Sequence, residues 1–402
     1  MNKIINKIEL LSPSGDKTKA YYALNYGADA IYIGAKEFSL RKRAGNFDIK
    51  DIKEIVNYAH SLNKKVYLVM NVICRNFLFK DFHIFFKKIQ DIEIDAYIVA
   101  DVAIINFLNE NYPEKEIHIS TQQSTTNSAS CLFWKKYGNA TRVVLGRELK
   151  LDEIRKTSEN LKNKIELEIF IHGAVCISYS GRCMMSNNFS LRDANVGGCA
   201  QSCRWKYHIE DKDSNVYNDH FFTMSPKDMS YINYLDELMK LNIASFKIEG
   251  RMKSVNYIAE VVKTYREIMD KHYQNIDFDT NVYFNKIKNI ANRDVDSAFI
   301  DSADESKMLY HDEKKLTNQD FIFTIEKIID ESKFLIRTKN NFNIDQKIRL
   351  VNPFLEDQFI HIDEILDLNN NSIKNANIPD SELYITIKSN CTINEYTLGK
   401  LN

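Results

Sequence analysis

The first repeating unit of the chain lies in "IELLSPSGDKTKAYYALNYGADAIYIG", which runs from Ile8 to Gly34. Two short apolar runs, "IELLS" and "AIYIG", flank the helical segment "DKTKAYYALNYGA". Both runs are continuous rather than alternating in polarity, which is typical of strands covered on both faces in a parallel sheet. The stretch therefore predicts a strand, a crossover helix and a second, parallel strand.

The same pattern continues as far as Tyr273. Six further apolar runs predict strands: "KVYLVMN" at Lys65, "AYIVAD" at Ala96, "EIHIST" at Glu116, "TRVVLG" at Thr141, "IELEIFIHG" at Ile165 and "ASFKIEG" at Ala244. Amphipathic segments such as "DIKDIKEIVNYAHSLN" separate them. Eight strands alternating with helices predict an α/β fold of the TIM-like (β/α)8 barrel type, with a doubly wound open sheet as the alternative.

One connection is too long for a loop and a single helix. Between Gly173 and Ser225, after predicted strand seven, lies an insertion that includes a predicted hairpin, "WKYHIEDKDSNVYNDHFFTM". After it, "SPKDMSYINYLDELMKLN" predicts a helix with Ser225 as its N-cap and Pro226 at the first helical position. Barrel enzymes build their sites at the C-terminal ends of strands, so this insertion is the first place to look for chemistry.

These patterns divide the chain into three parts. Residues 1–275 form the predicted barrel, with the insertion at 173–225. Residues 276–318 show neither the alternation of strands and helices nor a run of short strands, and are predicted to be a linker. From residue 319 to 402 the pattern changes to short strands: "FIFTIEKII", "KFLIRTK", "KIRLVN", "QFIHIDEIL" and "LYITIK". This part is predicted to be a small all-β barrel.

Composition limits the class of protein. The 402 residues are 44% hydrophobic and 27% charged, which permits a large core, and the formal net charge is −1. That balance gives no support to an extended nucleic-acid binder, although "SLRKRAGNF" from Ser39 to Phe47 is locally basic and is either a solvated loop or an anion- or RNA-binding segment. No signal peptide and no apolar run of about 18 residues is present, so we expect a cytoplasmic protein without a membrane partner.

Four of the seven cysteines lie between His172 and Trp205, inside the insertion. Their spacing is Cys176-x6-Cys183-x15-Cys199-x3-Cys203. In a cytoplasmic protein such a cluster is more often a metal or redox site than a disulfide framework. Four thiolates satisfy a tetrahedral zinc or an iron–sulfur cluster, and four unrelated buried thiols are the alternative. Spacings wider than zinc knuckles, with Gly and small residues around them, favour a 4Fe–4S cluster over zinc.

The segment "EIFIHGAVCISYSGRCMMSN" resembles the signature of the peptidase U32 family, the collagenase-like proteases. "STQQSTTNSASCLFWKKYG", "RVVLGRELKLDEI", "SPKDM" and "FKIEGRMKSVNYIAEVVKTYR" are similar to other blocks of that family, and the likeness extends over nearly the whole chain. Within the family, "NNFSLRDANVGGCAQSCRW" looks most like the branch of the tRNA hydroxylation protein P. One departure follows Asn292-Arg293, where "DVDSAFID" stands in place of the family's aromatic residue and Gly-Phe.

The resemblance implies a function as well as a fold. It implies a tRNA uridine hydroxylase that makes 5-hydroxyuridine at the wobble position, with prephenate as co-substrate and the tRNA anticodon loop as partner. It also implies that Cys176, Cys183, Cys199 and Cys203 ligate an iron–sulfur cluster. A homo-oligomer, or a hetero-oligomer with a family paralogue, is left open.

Two alternatives from other classes remain at this point: a peptidase and a zinc-stabilised RNA-binding module. No G-x-S-x-G elbow or H-E-x-x-H motif is present, and the best-placed thiols are better explained as ligands than as nucleophiles. Hydroxylation of a pyrimidine needs electron transfer, which a cofactor supplies and the protein positions.

Further candidate catalytic residues lie where predicted strands end. His172 ends strand seven, Arg147 and Glu148 follow strand six, and Glu249 and Arg251 end strand eight. A dianion such as prephenate is best bound by bidentate arginine, so Arg147 and Arg251 are the candidates for it. A structural hydrogen bond for His172 and strand-end salt bridges for the two arginines are the alternatives.

Overall fold

The computed structural model describes residues 7–41, 44–208, 221–301, 319–353, 355–388 and 391–402. Strands of its first sheet are β1 (Glu9–Ser14), β2 (Ala30–Gly34), β3 (Lys65–Met70), β4 (Ala96–Val99), β5 (Ile117–Ile119), β6 (Ala140–Val144), β7 (Glu166–Ala174), β8 (Asp228–Ser230), β9 (Ser245–Ile248) and β10 (Val295–Asp296). The helices are α1 (Lys17–Asn25), α2 (Ile49–Ser61), α3 (Asn76–Ile89), α4 (Val102–Asn111), α5 (Ser128–Gly138), α6 (Leu151–Leu161), α7 (Met185–Ser190), α8 (Leu235–Met239), α9 (Val255–Tyr273) and α10 (Thr280–Ile290).

Eight parallel strands close into a barrel. Strands β1 to β7 pair in sequence order, and β9 pairs in parallel with both β7 and β1. Because the last strand bonds to the first, the sheet has no free edge there and the doubly wound alternative is excluded. The predicted TIM-like barrel is confirmed, and all eight predicted strands are present.

Local sequence signals explain the helices around the barrel. Asp16, Asp48 and Asp101 each accept a backbone N–H bond as N-caps of α1, α2 and α4. Helix α2 buries one face against the barrel: Ile52, Ile55, Val56 and Ala59. The apolar spacing that predicted this helix is therefore its packing face.

The barrel interior is partly charged. Arg142 is 5% exposed and contacts Glu9 at 2.7 Å and Glu168 at 3.3 Å, while the Lys247 ammonium lies 2.6 Å from Glu168. The Tyr67 hydroxyl donates to the other oxygen of Glu9. These alternating charges satisfy one another where water cannot reach, as burial of charge requires.

The segment after the insertion differs from its prediction. Strand β8 pairs antiparallel with the end of β7, His172 opposite Ser230, and β10 pairs in parallel with β8. The prediction of a helix that begins at Ser225 is wrong, because α8 begins only at Leu235. The C-terminal end of β7 extends beyond the barrel, and residues 228–230 pair with this end as an antiparallel strand.

The first half of the predicted linker at 276–318 contains a helix. Residues 280–290 form α10, which packs against α9, and Arg293 is 7% exposed with its guanidinium 3.1 Å from Asp228. Buried Ile287 and Ile290 hold this helix on the barrel. Residues 302–318 lie outside the described part of the chain.

The predicted all-β C-terminal domain is an antiparallel sheet. Its strands are β11 (Phe321–Ile328), β12 (Lys333–Thr338), β13 (Phe342–Asn343), β14 (Ile348–Val351), β15 (Gln358–Ile360), β16 (Glu364–Leu366), β17 (Ser372–Ile373), β18 (Asn375–Ala376), β19 (Glu382–Thr386) and β20 (Leu398–Leu401). Eight of them join in the order β15-β14-β20-β11-β12-β19-β16-β17, and β13 pairs with β18. Val351 and Leu398 belong to the barrel's hydrophobic core, so the two domains share buried surface.

Among the described residues, no helix combines the length and apolar character needed to cross a membrane.

Candidate active site at the mouth of the barrel

A cavity of about 150 Å³ lies at the C-terminal ends of the barrel strands. The insertion covers one side of it, and the loops after β2, β5, β6 and β9 supply the other. Its polar wall includes four thiols, four basic groups, two carboxylates and three amides: Cys176, Cys183, Cys199, Cys203, Arg41, Arg147, Lys247, Arg251, Glu148, Glu249, Asn71, Gln122 and Gln201. This is the end of the barrel at which the fold carries chemistry.

The four clustered cysteines all line this cavity. All are free thiols, and the remaining three, Cys74, Cys131 and Cys391, do not line the cavity. Cys131 is buried in α5. Among the described residues, no group of three or more His, Cys, Asp or Glu side chains is arranged as a metal site.

A tight turn shapes the backbone just before Cys199. Gly198 lies so close to the preceding turn that an added Cβ would stand 2.6 Å from the Asp193 carbonyl oxygen. The Asp193 side chain in turn accepts from Arg75, at 2.6 Å, and thereby joins the insertion to the loop after β3. The small residues noted in the sequence thus allow backbone segments to approach each other closely.

The surroundings of the thiols act on the thiolate form in both directions. The Met185 amide donates to Cys183 Sγ at 3.4 Å. Burial raises the pKa of the Cys176 thiol, while a Ser178 backbone hydrogen bond and Arg147 oppose that rise. Burial also raises the pKa of Cys203, and Arg204 opposes it. Four thiols on one cavity wall supply the donor type that a cysteine-ligated iron–sulfur cluster takes, and in this structure they are not drawn together as a metal site.

Glu249 stands at the centre of the basic groups. Its carboxylate accepts from the Tyr32 hydroxyl at 3.1 Å and contacts Arg41 at 3.4 Å. Burial alone would raise its pKa, but Arg41, Arg147 and Arg251 outweigh burial and hold the pKa of Glu249 at about 2. The carboxylate therefore stays ionised and orders the surrounding arginines.

Two arginines keep donor atoms without protein partners. Arg251 is 3% exposed and donates to Ser39 Oγ at 2.7 Å, and its Nη1 has no hydrogen-bond partner among the described residues. Arg147 donates to the Ala174 carbonyl at 2.7 Å and stacks 3.9 Å above the Phe170 ring, and its Nε is likewise unpartnered. Burial lowers the pKa of Arg251 to about 10, which keeps it charged at neutral pH.

Two predicted catalytic residues contact protein rather than open space. Glu148 lines the cavity and accepts from both the backbone amide and the hydroxyl of Ser180. His172 is 1% exposed, is not among the lining residues, and has Nδ1 3.3 Å from the Tyr265 hydroxyl. This placement of His172 matches the structural alternative, and a catalytic role for either residue stays a prediction.

Sequence reasoning left some site residues undecided. Arg41 points to Glu249 in the cavity, although its segment could equally be a solvated loop, and Lys42 and Arg43 lie outside the described residues. Its position just after β2 was the available signal. Gln122 follows β5, is 6% exposed, and its Oε1 has no partner among the described residues, whereas Asn127 caps α5 by accepting from Ser130.

The predicted hairpin is confirmed at its open end. Tyr207 and Phe222 form an antiparallel bridge with backbone hydrogen bonds of 2.9 and 2.8 Å. Residues 209–220 lie outside the described part of the chain.

Comparison with known proteins identifies the family. The model of peptidase family U32 matches residues 15–309, which include the barrel and the cysteine insertion. The chain belongs to peptidase family U32. This U32 protein is 36% identical over 386 residues to tRNA hydroxylation protein P1 of Bacillus subtilis, covering 94% of the chain and 91% of that relative.

Other U32 relatives carry related names. tRNA hydroxylation protein P of Escherichia coli is 32% identical over 400 residues, with 86% of each chain covered. A 23S rRNA 5-hydroxycytidine synthase of Escherichia coli is 35% identical over 265 residues, which span 66% of this U32 protein and 40% of that relative.

Proposed function

We propose that the protein is an iron–sulfur-dependent RNA hydroxylase that makes 5-hydroxyuridine at the wobble position of tRNA, with prephenate as co-substrate. The observation that carries the proposal is the meeting of four thiols and three arginines around one cavity. Relatives named for tRNA hydroxylation and rRNA hydroxycytidine synthesis support a hydroxylase that acts on RNA.

The insertion would hold the cofactor. Cys176, Cys183, Cys199 and Cys203 are the residues available as thiolate ligands on the cavity wall. A bound iron–sulfur cluster supplies the electron transfer that side chains lack. Arg204 and Arg41, whose positive charges act on these sulfurs, would offset the negative charge of the thiolates.

The arginines would hold the co-substrate. The unpartnered Nη1 of Arg251 and Nε of Arg147 are buried donors, which makes them costly unless an acceptor binds. A dicarboxylate such as prephenate offers acceptors of matching charge. The negative charge of Glu249 would repel the carboxylates of a bound anion. The anion would therefore be oriented toward the arginines.

The target base would have to enter the cavity unstacked. Apolar side chains on the wall, Val69, Ile98 and Phe170, would exclude water from a base in the cavity. The Gln122 amide can both donate and accept, which suits the imide edge of uracil.

Metal analysis tests the cofactor. Anaerobically purified protein is expected to contain about four irons and four sulfides per chain, as a 4Fe–4S cluster requires. Cys183→Ala removes a ligand and is expected to lose them, whereas Cys74→Ala, outside the cavity wall, keeps them. One zinc per chain without sulfide would contradict the proposal and favour the zinc-stabilised RNA-binding module.

Nucleoside analysis tests the reaction. A strain that lacks the gene is expected to lose 5-hydroxyuridine from its tRNA, and the wild-type gene but not Cys183→Ala to restore it. Unchanged tRNA nucleosides in that strain would contradict a tRNA substrate. The name of the family favours a peptidase as the second candidate, and cleavage of collagen-derived peptides that persists in Cys183→Ala and requires no iron would support it.

A further inference from the structure

Large aromatic side chains lie exposed on the cysteine insertion. Phe189 on α7 and Trp205, beyond the turn at Ser202–Arg204, are 55% and 42% exposed, and their ring centroids are 6.5 Å apart. Tyr207 lies 5.9 Å from Phe189 and is held by a 2.7 Å bond from its hydroxyl to the Ser202 carbonyl. We call Phe189, Trp205 and Tyr207 the aromatic platform.

The aromatic platform adjoins the cavity. Met185 and Ser186 in the first turn of α7 line the cavity, and Phe189 is one helical turn further along. Cys203 also lines the cavity, two residues before Trp205. A chain molecule that lies on the platform can therefore extend its next unit into the cavity.

The charge of this region differs from that of the whole chain. Residues 175–208 carry four basic side chains, Arg182, Arg192, Arg204 and Lys206, and one acidic side chain, Asp193, whereas residues 209–220 of the same insertion, outside the described part of the chain, carry one basic and four acidic side chains. Exposed rings among basic groups match unpaired nucleotides, since bases stack on the rings and phosphates meet the cations. An apolar protein partner or a second copy of the chain would leave the basic side chains of residues 175–208 without matching negative charge.

We propose that the aromatic platform stacks the unpaired bases that flank the target nucleotide of an RNA loop. The identity of that RNA rests on the proposed function, and the platform adds where the loop is held. Phe189 and Trp205 provide separate stacking surfaces, and the basic side chains of the insertion follow the backbone.

Binding of a fluorescein-labelled RNA hairpin with a pyrimidine-rich loop tests the platform, with a fully paired duplex of the same stem for comparison. Fluorescence anisotropy is measured on the iron-containing full-length protein. The double variant Phe189→Ala/Trp205→Ala is expected to bind the hairpin at least about tenfold more weakly, because stacking of one base on an aromatic ring contributes at least about 1 kcal/mol. Trp205→Phe keeps a ring and is expected to stay close to wild type.

The matched control removes two exposed rings elsewhere. Phe133 and Tyr137 on α5 are 51% and 63% exposed, with ring centroids 5.0 Å apart, and do not line the cavity. Phe133→Ala/Tyr137→Ala is expected to bind the hairpin as the wild type does. Equal weakening of hairpin binding in both double variants would overturn the proposal. Unchanged hairpin binding in Phe189→Ala/Trp205→Ala would also overturn it. If that variant instead loses self-association, the rings form a contact between copies of the chain.

Failure of the platform and failure of the proposed function give different results. If Phe189→Ala/Trp205→Ala loses hairpin binding but the wild-type protein never forms 5-hydroxyuridine, the platform stands and the proposed reaction is refuted. Full hydroxylation and full binding by Phe189→Ala/Trp205→Ala would keep the reaction and refute the platform. The duplex serves as the third reference, since its bases are not available for stacking and its binding is expected to be insensitive to the variant.

Discussion

At the scale of single residues, backbone conformation matters most where β7 meets the site. Gly173 has φ +110°, and an added Cβ would stand 2.4 Å from the Glu249 carbonyl oxygen. Gly181 has φ +79°, yet its added Cβ would meet nothing closer than 3.8 Å. Comparing alanine variants at the two glycines therefore distinguishes the cost of backbone strain from the cost of a steric clash.

We expect Gly173→Ala to destabilise the protein more than Gly181→Ala. Both place alanine in the left-handed region, which costs about 1–2 kcal/mol, and only Gly173→Ala also pushes the backbone of β7 away from Glu249. Urea unfolding of the two variants measures the difference. Equal midpoints would contradict the clash.

His172 gives a prediction about pH. Burial lowers its pKa from 6.5 to about 3, so the folded protein keeps a neutral ring while the unfolded chain takes up a proton. The resulting stability is fully present above pH 6.5 and is lost as the pH falls toward 3. In His172→Asn, the free energy of unfolding measured with urea is expected to fall less between pH 6.5 and 3 than in the wild type. His361→Asn, at an exposed position, is the control. Loss of hydroxylation without a changed pH profile would instead indicate catalysis.

At the scale of elements, one carboxylate fastens the start of the insertion to the barrel. Glu148, in the loop after β6, accepts both bonds that Ser180 offers from the turn at Tyr179–Gly181. That turn lies between Cys176 and Cys183, so its position controls the distance between two thiols. Sequence reasoning placed Glu148 at the mouth but could not find this partner, 32 residues away.

Glu148→Ala is expected to lower the iron content of purified protein, because the insertion loses one of its attachments to the barrel. Ser180→Ala, which removes only the 3.0 Å hydroxyl bond and keeps the amide, is expected to have a smaller effect in the same direction. Full iron content with lost hydroxylation in Glu148→Ala would identify a catalytic residue instead.

At the scale of the whole molecule, a buried charge cluster joins the C-terminal sheet to α9. Glu260 is fully buried and binds Arg349 at 2.7 Å and Lys400 at 2.5 Å. Lys263, one turn further along, binds Asp357 at 2.7 Å. Because α9 also packs on the barrel, these contacts make the sheet part of one folded unit.

Glu260→Gln is expected to lower the free energy of unfolding by about 1.5–3 kcal/mol, since it removes the buried carboxylate that Lys400 and Arg349 share, while Asp320 and Asp357 still contact these cations. Glu267→Gln on the same helix removes a partly exposed ion pair with a 3.8 Å separation and is expected to change it by about 1 kcal/mol or less. Thermal unfolding of both variants checks this, and similar melting temperatures would contradict the role of the cluster.

The sequence by itself determined the barrel strands, the all-β end and the cysteine insertion, because hydrophobic periodicity and residue spacing are local properties of the chain. Only the tertiary structure decided that Arg41 meets Glu249 across 208 positions and that His172 turns to Tyr265 instead of the cavity. It also decided that residues 228–230 form a strand and residues 280–290 a packed helix. These outcomes depend on which surfaces closure of the barrel brings together, and no local pattern encodes such long-range contacts.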